Sequence, residues 1–301
     1  MSVRRLSLLA ALVPLAVLAL LPATAPAALK IRVAKPTETV TVPSGTTTGT
    51  YFEESQRISS SCRGRERALA PGIVAASRHI VGQSFGPAAV GSWATGAPGR
   101  AKLRLQLLCA RGASIVHRRR PGRTRPVSST SLTSTATVSC GRKRVAIGAP
   151  LSQEFSPGFG RFSSKPRGVS GWQVTVENIP STFPFQTTDP VYADVACVPK
   201  RSLRAVKVVE RSTAALASAA SASLRVPCPG GRRAVGWGVD QEPFNSGGFG
   251  GRAADGWALP IVAKAAFAGR SMAFRFDLPP GARVSSSDVT QTAYVVCAKP
   301  R

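Results

Sequence analysis

Six cysteines divide the chain into three similar segments, and this repeat constrains the fold more than any other feature of the sequence. After each of Cys62, Cys140 and Cys228, the sixth residue is alanine and the seventh is aliphatic. A tryptophan follows these cysteines after 31, 32 and 29 residues, respectively. The second cysteine of each segment closes a hydrophobic run; these cysteines are Cys109, Cys197 and Cys297. This agreement in register predicts three homologous units.

The hydrophobic runs that end at the second cysteines alternate apolar and polar residues, as half-buried β-strands do. Leu105 and Leu107 share one strand face with Cys109, and the same period of two precedes Cys197 and Cys297. These runs therefore predict strands whose cysteines point into a core.

A second pair of segments is ambiguous until the repeat is considered. Residues 213–224 are rich in alanine, which favours a helix, whereas the corresponding residues 128–139 are rich in β-branched threonine. Homologous segments share a fold, so both are predicted to be strands. Frequent glycine and proline also favour an all-β class of short strands and turns.

The predicted fold is all-β, with three homologous, disulfide-containing β-sandwich-like units in tandem. The units cover residues 35–113, 126–202 and 213–301, with a basic linker at 114–125 and a connector at 203–212. The connector alternates apolar and charged residues, so it fits a strand that joins neighbouring units. The alternative is a single β-prism-like globule with three-fold pseudo-symmetry.

The first 27 residues have the pattern of a secretory signal peptide. Arg4 and Arg5 precede an apolar stretch, and Ala25-Pro26-Ala27 fits a small-x-small cleavage site. No later stretch is long and apolar enough to cross a bilayer. The protein is therefore expected to be secreted or associated with the cell envelope, outside the cytoplasm.

Export makes disulfide bonds the expected state of the cysteines. The simplest pairing is one bridge per unit: Cys62–Cys109, Cys140–Cys197 and Cys228–Cys297. Closing the shortest of these loops should stabilise the fold by about 4 kcal/mol. The rival pairing joins units through Cys109–Cys140 and Cys197–Cys228. No CxxC pair exists and neither histidine has ligand spacing, so no metal and no cofactor are predicted.

The net charge of +26 points to an anionic partner or surface. It falls to +24 once Arg4 and Arg5 are removed with the leader. Arginine outnumbers lysine by 31 to nine, so compositional bias explains part of the excess. The densest positive charge lies in the predicted linker, at Arg118, Arg119, Arg120, Arg123 and Arg125. The expected partner is an anionic wall polymer, an acidic polysaccharide or a protein; nucleic acid fits the charge but not a secreted address.

Two units share a loop that combines carboxylate, amide and aromatic side chains. The residues are Gln153, Glu154, Phe155 and Phe159 in the second unit, and Gln241, Glu242, Phe244 and Phe249 in the third. Such residues on a glycine-rich loop could hold a sugar by hydrogen bonds and ring stacking. The alternative is that the phenylalanines plug the open end of a small β core.

Catalysis has little support in the sequence. Gly82-Gln-Ser84-Phe-Gly86 matches a G-x-S-x-G nucleophile elbow, but no acidic residue lies between Ser84 and His117, the only later histidine. The predicted function is therefore non-catalytic binding, by a monomer, to the cell envelope or a partner protein. Lectin-like carbohydrate binding is the first alternative, and a secreted hydrolase is the second.

Overall fold

The computed structural model describes residues 29–34, 37–42, 56–76, 80–85, 89–94, 99–128, 131–148, 159–178, 191–213, 221–242, 244–245, 257–258, 261–277 and 290–300. These residues are almost entirely β-strand, and the strands pair antiparallel. The all-β class is confirmed. The leader, residues 1–27, lies outside the described residues.

The strands are short and numerous, as the spacing of glycine and proline predicts. The first unit, taken from here on to include residues 30–34, contains β1 (Lys30–Ala34), β2 (Thr37–Val42), β3 (Gln56–Ser61), β4 (Arg67–Ala76), β5 (Ile80–Phe85), β6 (Ala89–Ala94) and β7 (Gly99–Arg111). The second region contains β8 (Val116–Pro121), β9 (Arg123–Ser128), β10 (Ser131–Ser139), β11 (Arg144–Gly148), β12 (Phe159–Arg167), β13 (Gly171–Asn178) and β14 (Tyr192–Pro199). A 3-10 turn (Lys200–Ser202) precedes β15 (Leu203–Ser212), β16 (Ser221–Pro227), β17 (Arg233–Gln241), β18 (Phe244–Asn245), β19 (Trp257–Ala258), β20 (Ile261–Phe267), β21 (Ser271–Asp277) and β22 (Gln291–Pro300).

One arrangement of strands occurs three times. The strand that carries the second cysteine (β7, β14 or β22) pairs on one side with an edge strand (β1, β8 or β15). On its other side it pairs with the strand that follows the first cysteine (β4, β11 or β17). The strand before the first cysteine (β3, β10 or β16) pairs with one arm of a hairpin: β5–β6, β12–β13 or β20–β21.

The two largest sheets take strands from two units each. One seven-stranded sheet has the order β1-β7-β4-β20-β21-β16, with β2 also pairing with β7, and so joins the first unit to the third. The other, here called the second–third sheet, has the order β15-β22-β17-β12-β13-β10-β9. Smaller sheets are β11-β14-β8, β3-β6-β5 and β18-β19.

The three predicted intra-unit disulfides are confirmed. Cys62–Cys109, Cys140–Cys197 and Cys228–Cys297 are bonded, with Cα–Cα distances of 5.6, 5.4 and 5.5 Å. The second cysteine of each pair is completely buried, as the alternation of its strand predicts. Each bond links the closing strand of a unit to the short segment between β3 and β4, β10 and β11, or β16 and β17.

The three tryptophans that follow the first cysteines at similar spacing do not all occupy equivalent strand positions. Trp172 on β13 pairs with Val138, two residues before Cys140. The residue that occupies this position in the third unit is Met272, which pairs with Val226, while Trp257 lies on β19. Trp93, on β6, and Trp172, on β13, therefore lie on equivalent strands but at different positions along them, whereas Trp257 lies on a strand outside the repeated arrangement.

Two buried tryptophans connect neighbouring units. The ring of Trp172 occupies the space that a Cβ on Gly148 would need, so glycine is required there, and it lies 3.1 Å from where a Cβ on Gly238 of the third unit would stand. The Nε1–H of Trp237 donates to the carbonyl of Pro71 in the first unit, at 2.6 Å. Because a buried indole N–H needs a partner, this bond fixes the third unit against the first.

The predicted linker and connector are strands of the sheets. The connector forms β15, as its alternation suggests, and residues 116–128 form β8 and β9. The strands expected in residues 128–139 and 213–224 are present as β10 and the start of β16, although residues 214–220 lie outside the described residues. Among the described residues, no helix is long and apolar enough to span a bilayer.

Candidate functional site

The arginine-rich run follows the boundary between two sheets. Strand β8 pairs with β14 in the three-stranded sheet β11-β14-β8, and β9 pairs with β10 at the edge of the second–third sheet. Arg118 on β8 also donates to the carbonyl of Ser139, at the end of β10, at 2.7 Å. The whole run therefore lies along β10 while its two halves hydrogen-bond to different sheets. We call its five arginines, defined above, the basic corner.

Gly122 allows the chain to cross between the sheets. Its N–H donates to the carbonyl of Val191, and a Cβ at this position would lie 3.0 Å from that oxygen and 3.0 Å from the backbone of Thr135. Backbone from both neighbouring strands approaches this residue closely, so a side chain would force them apart. The local sequence Pro-Gly thus ends β8 and starts β9 without a loop.

Arg119 is held by its neighbours in the three-stranded sheet. Its guanidinium lies 3.9 Å from the centre of the Tyr192 ring, and its Nε is 3.8 Å from a carboxylate oxygen of the buried Asp194. The Arg119 side chain remains 58% exposed. Ring stacking and the nearby carboxylate order this arginine without removing it from water.

Three other exposed arginines of the corner lack acidic partners among the described residues. Arg120, Arg123 and Arg125 are exposed, and no carboxylate within the described part of the chain lies in ion-pair range of them. Three like charges on consecutive edge strands create a positive field that no acidic residue of the described ranges neutralises locally. This arrangement can attract an anion or a polyanion.

A row of polar side chains crosses the second–third sheet from the same corner. In the order of the strands from β9 to β15, the paired residues are Arg123, Thr135, Thr175, Ser163, Asp240, Thr292 and Ser212. Paired residues of antiparallel strands point to the same face, so these seven form one transverse row, here called the polar row. At about 4.8 Å between strands, the row is roughly 29 Å long.

Hydrogen bonds connect several members of the polar row. The hydroxyls of Thr135 and Thr175 are 3.3 Å apart, and those of Ser212 and Thr292 are 2.9 Å apart. Asp240 accepts a hydrogen bond of 2.9 Å from the Nζ of Lys165 on the neighbouring strand. The middle of the row is buried, with Ser163 and Asp240 only 6% and 8% exposed.

The sequence-predicted loop residues are only partly described. Gln153, Glu154, Phe155 and Phe249 lie outside the described residues. Phe159 is the first residue of β12, and Phe244 pairs with Ala258 in the short β18–β19 ladder. No Phe/Gly-rich loop therefore lies completely within the described residues, and sugar binding by these loops stays a prediction.

The Gln241–Glu242 pair is split between core and solvent. Gln241, in β17, is 3% exposed, whereas Glu242 is exposed. A carboxylate oxygen of Glu242 accepts from the N–H of Thr290 at 3.3 Å, and its carbonyl accepts from the amide of Gln291 at 3.2 Å. The amide and carboxylate therefore do not face a common ligand here.

The candidate nucleophile and the nearest metal-like cluster have other structural roles. Ser84 lies inside β5 and pairs with Gly91, rather than on a turn between a strand and a helix. Cys62, Cys109 and Glu66 bring their ligand atoms within 4.8 Å of one another, but both sulfurs are bonded in a disulfide. The hydrogen bonds that Arg32 donates to Glu66, of 2.6 and 3.1 Å, lower the pKa of that carboxyl to about 2.

His117 is the titratable group that the fold perturbs most clearly in the basic corner. Burial lowers its pKa to about 4, with a further lowering by Arg67 that a hydrogen bond to the Ala68 backbone opposes. It is therefore neutral at pH 7 and connects β8 to β4 of the first unit. Its role is packing between units.

The polar row is the feature that sequence reasoning missed. The alternation of Thr133, Thr135 and Thr137 was a visible signal, because it puts three hydroxyls on one strand face. The rest of the row comes from strands whose pairing depends on contacts between units. No known protein-family model matches the chain, and a search of curated proteins finds no similar sequence.

Proposed function

We propose that this is a secreted or cell-envelope protein without catalytic activity that binds anionic envelope polymers through the basic corner. The observation that carries the proposal is the exposure of Arg120, Arg123 and Arg125 without acidic partners among the described residues. Edge strands held in two sheets present these charges on a rigid scaffold, which limits the entropy lost on binding.

The compartment is supported by the cysteines and the leader-like start. All six cysteines are paired in disulfides, and such bonds persist in oxidising compartments. A basic start followed by an apolar stretch and a small-x-small site fits export. Envelope polymers such as acidic polysaccharides are the anionic partners that an exported protein meets first.

We further propose that the three units form one globule with three-fold pseudo-symmetry rather than tandem modules. Support comes from the sharing of strands: β20 of the third unit pairs with β4 of the first, and β12 of the second pairs with β17 of the third. A unit taken alone would lose these pairings and expose its tryptophan contacts. The basic corner would then occur once, at one boundary between sheets.

Carbohydrate binding by the Phe/Gly-rich loops is a second candidate. The exposed carboxylate of Glu242 favours it, because a carboxylate is a good acceptor for sugar hydroxyls. The buried position of Gln241 does not add to it.

Co-sedimentation of the chain from residue 28 onward with cell-wall polymers, over a salt series, tests the main proposal. Binding should be strong at low salt and fall steeply as salt rises, because exposed charges are screened. The triple variant Arg120→Gln/Arg123→Gln/Arg125→Gln should bind roughly tenfold more weakly, at ~0.5 kcal/mol per charge.

The matched control removes the same charge elsewhere. Arg142, Arg167 and Arg270 are exposed and lie outside the corner. Arg142→Gln/Arg167→Gln/Arg270→Gln should keep most of the affinity. Equal losses in both triple variants would show that only net charge matters, and absence of retention at low salt would reject envelope binding.

A further inference from the structure

We propose that the β9 end of the second–third sheet binds an acidic polysaccharide that lies across the strands along the polar row. The inference rests on the proposed function, because it names the ligand class and adds a second surface to the basic corner. In it, Arg123 holds an acidic group of the polymer, and Thr135 and Thr175 bind sugar hydroxyls.

The geometry of the row suits an extended sugar chain. Arg123, Thr135 and Thr175 occupy successive strands in register, about 4.8 Å apart. This spacing is comparable with the repeat of one pyranose ring in an extended polysaccharide. Each strand therefore offers one polar side chain to each successive sugar, on a sheet whose backbone is already fixed by hydrogen bonds.

The charges on this face indicate that an acidic group of the polymer binds at the β9 end. Arg123 and Arg125 are exposed there and pair in register with Thr135 and Thr133. Glu177, half-buried, pairs with Thr133 one row away, and Asp240 is neutralised by Lys165. An anion is attracted by the two arginines and repelled by Glu177, whereas a sugar hydroxyl can donate to that carboxylate.

The chemistry of the face favours a sugar over other polyanions and over a protein or lipid partner. Hydroxyl groups follow the arginines of β9 across the face, and the exposed large apolar residues in the described part of the chain, Val116 and Val169, lie outside the face. A protein interface usually has an apolar or aromatic centre, and a lipid surface needs apolar side chains. Rows of hydroxyl groups are complementary to hydroxyl-rich ligands.

One polar atom in the row lacks a partner. The Oγ of Ser163, next to Thr175, is buried and makes no hydrogen bond within the described residues. Buried hydroxyls are nearly always satisfied, so this exception leaves a donor and an acceptor available to a bound water or ligand. Here it identifies the inner end of the exposed part of the row.

Binding of three polymers to the chain from residue 28 onward distinguishes sugar recognition from charge attraction. The probes are polygalacturonate, which has carboxylates and hydroxyls, polyglutamate, which has carboxylates alone, and dextran, which has hydroxyls alone. We expect polygalacturonate binding to survive an increase in salt that abolishes polyglutamate binding, because uncharged hydrogen bonds are not screened. Equal salt sensitivity of the two would overturn the inference and leave charge-driven binding intact.

Isosteric removal of hydroxyls tests the site itself. Thr135→Val/Thr175→Val should weaken polygalacturonate binding roughly tenfold, for two lost hydrogen bonds, and leave polyglutamate binding unchanged. Thr124→Val removes a hydroxyl from the opposite face of β9 and should change neither. Unchanged polygalacturonate binding by the double variant would overturn the inference. If neither anionic polymer binds the unmodified protein, the proposed function fails as well.

Discussion

The basic corner and strand β15 occupy equivalent places in the repeat but differ in their charge and in the strands with which they pair. Both follow a second cysteine and pair with the closing strand of the next unit. β15 stays with β22 along its length and carries half-buried valines and one glutamate among its basic residues. β8 leaves β14 at Gly122, and the run β8–β9 carries five arginines and no acid. Positive charge is therefore concentrated where the edge strand has little to bury.

Equivalent positions in the three units also show which kind of side chain the packing requires. The residue paired with the position before the second cysteine is Val33 in the first unit, His117 in the second and Val208 in the third. Two valines and one histidine at equivalent places indicate that an apolar side chain satisfies the packing. The corner thus differs from its counterparts in one buried titratable group as well as in exposed charge.

The largest expected effect is the loss of stability on removal of the disulfide from the second or the third unit. Cys140→Ser/Cys197→Ser and Cys228→Ser/Cys297→Ser open loops of 57 and 69 residues, and each should cost about 4 kcal/mol of unfolding free energy. Because the second–third sheet contains strands of both units, each variant should unfold in one cooperative transition. Urea denaturation followed by circular dichroism and tryptophan fluorescence measures this. Two separate transitions would indicate independent modules.

Part of this fold was predictable because its signals are local. Alternation toward Cys109, Cys197 and Cys297 identified the closing strands, and the repeat favoured the disulfide pairing that the structure has. The sharing of sheets between units was not predictable, because a pairing such as Ala265 with Ile73 leaves no periodic pattern in the sequence.

The basic corner and the polar row also show where prediction from the sequence fails. Residues 114–125 suggested a linker because they are strongly basic and contain Pro121 and Gly122. An edge strand such as β8, whose side chains are mostly exposed, needs few apolar residues. The arginines of the corner were visible in the sequence, but their alignment with Thr135 and Thr175 depends on strand register alone.

The next expected effect is acid sensitivity that originates at His117. Its pKa is about 4 in the folded protein and 6.5 in the unfolded chain, so the unfolded chain binds the proton more readily between these values. Stability should therefore fall by about 1–3 kcal/mol as pH decreases from 6.5 to 4. His117→Val, which installs the residue of the equivalent positions, should remove this loss. Urea denaturation at pH 7, 5.5 and 4.5 measures it.

The reciprocal variant sharpens the comparison between the two edge strands. Val208→His should introduce acid sensitivity into β15 over the same pH window, because Val208 is half-buried. The Glu66 carboxyl, with its pKa lowered to about 2, loses its contribution only below pH 4.5 and does not confuse the result. An equal pH dependence in the unmodified protein and His117→Val would contradict the assignment.

The smallest expected effect distinguishes how the two strands bend. The corner turns at Gly122, where a Cβ would approach backbone on two strands, whereas β15 is irregular between Arg204 and Lys207, with Ala205 at a φ of 51°. Gly122→Ala should cost about 1 kcal/mol through close contacts. Ala205→Gly should stabilise by about 0.5 kcal/mol, because relief of the left-handed strain exceeds the entropy that glycine loses on folding. The side chain of Arg232 donates to the Ala205 carbonyl in either case, so the urea midpoints report backbone effects and not the loss of this hydrogen bond. Changes of the same sign in both variants would contradict this account.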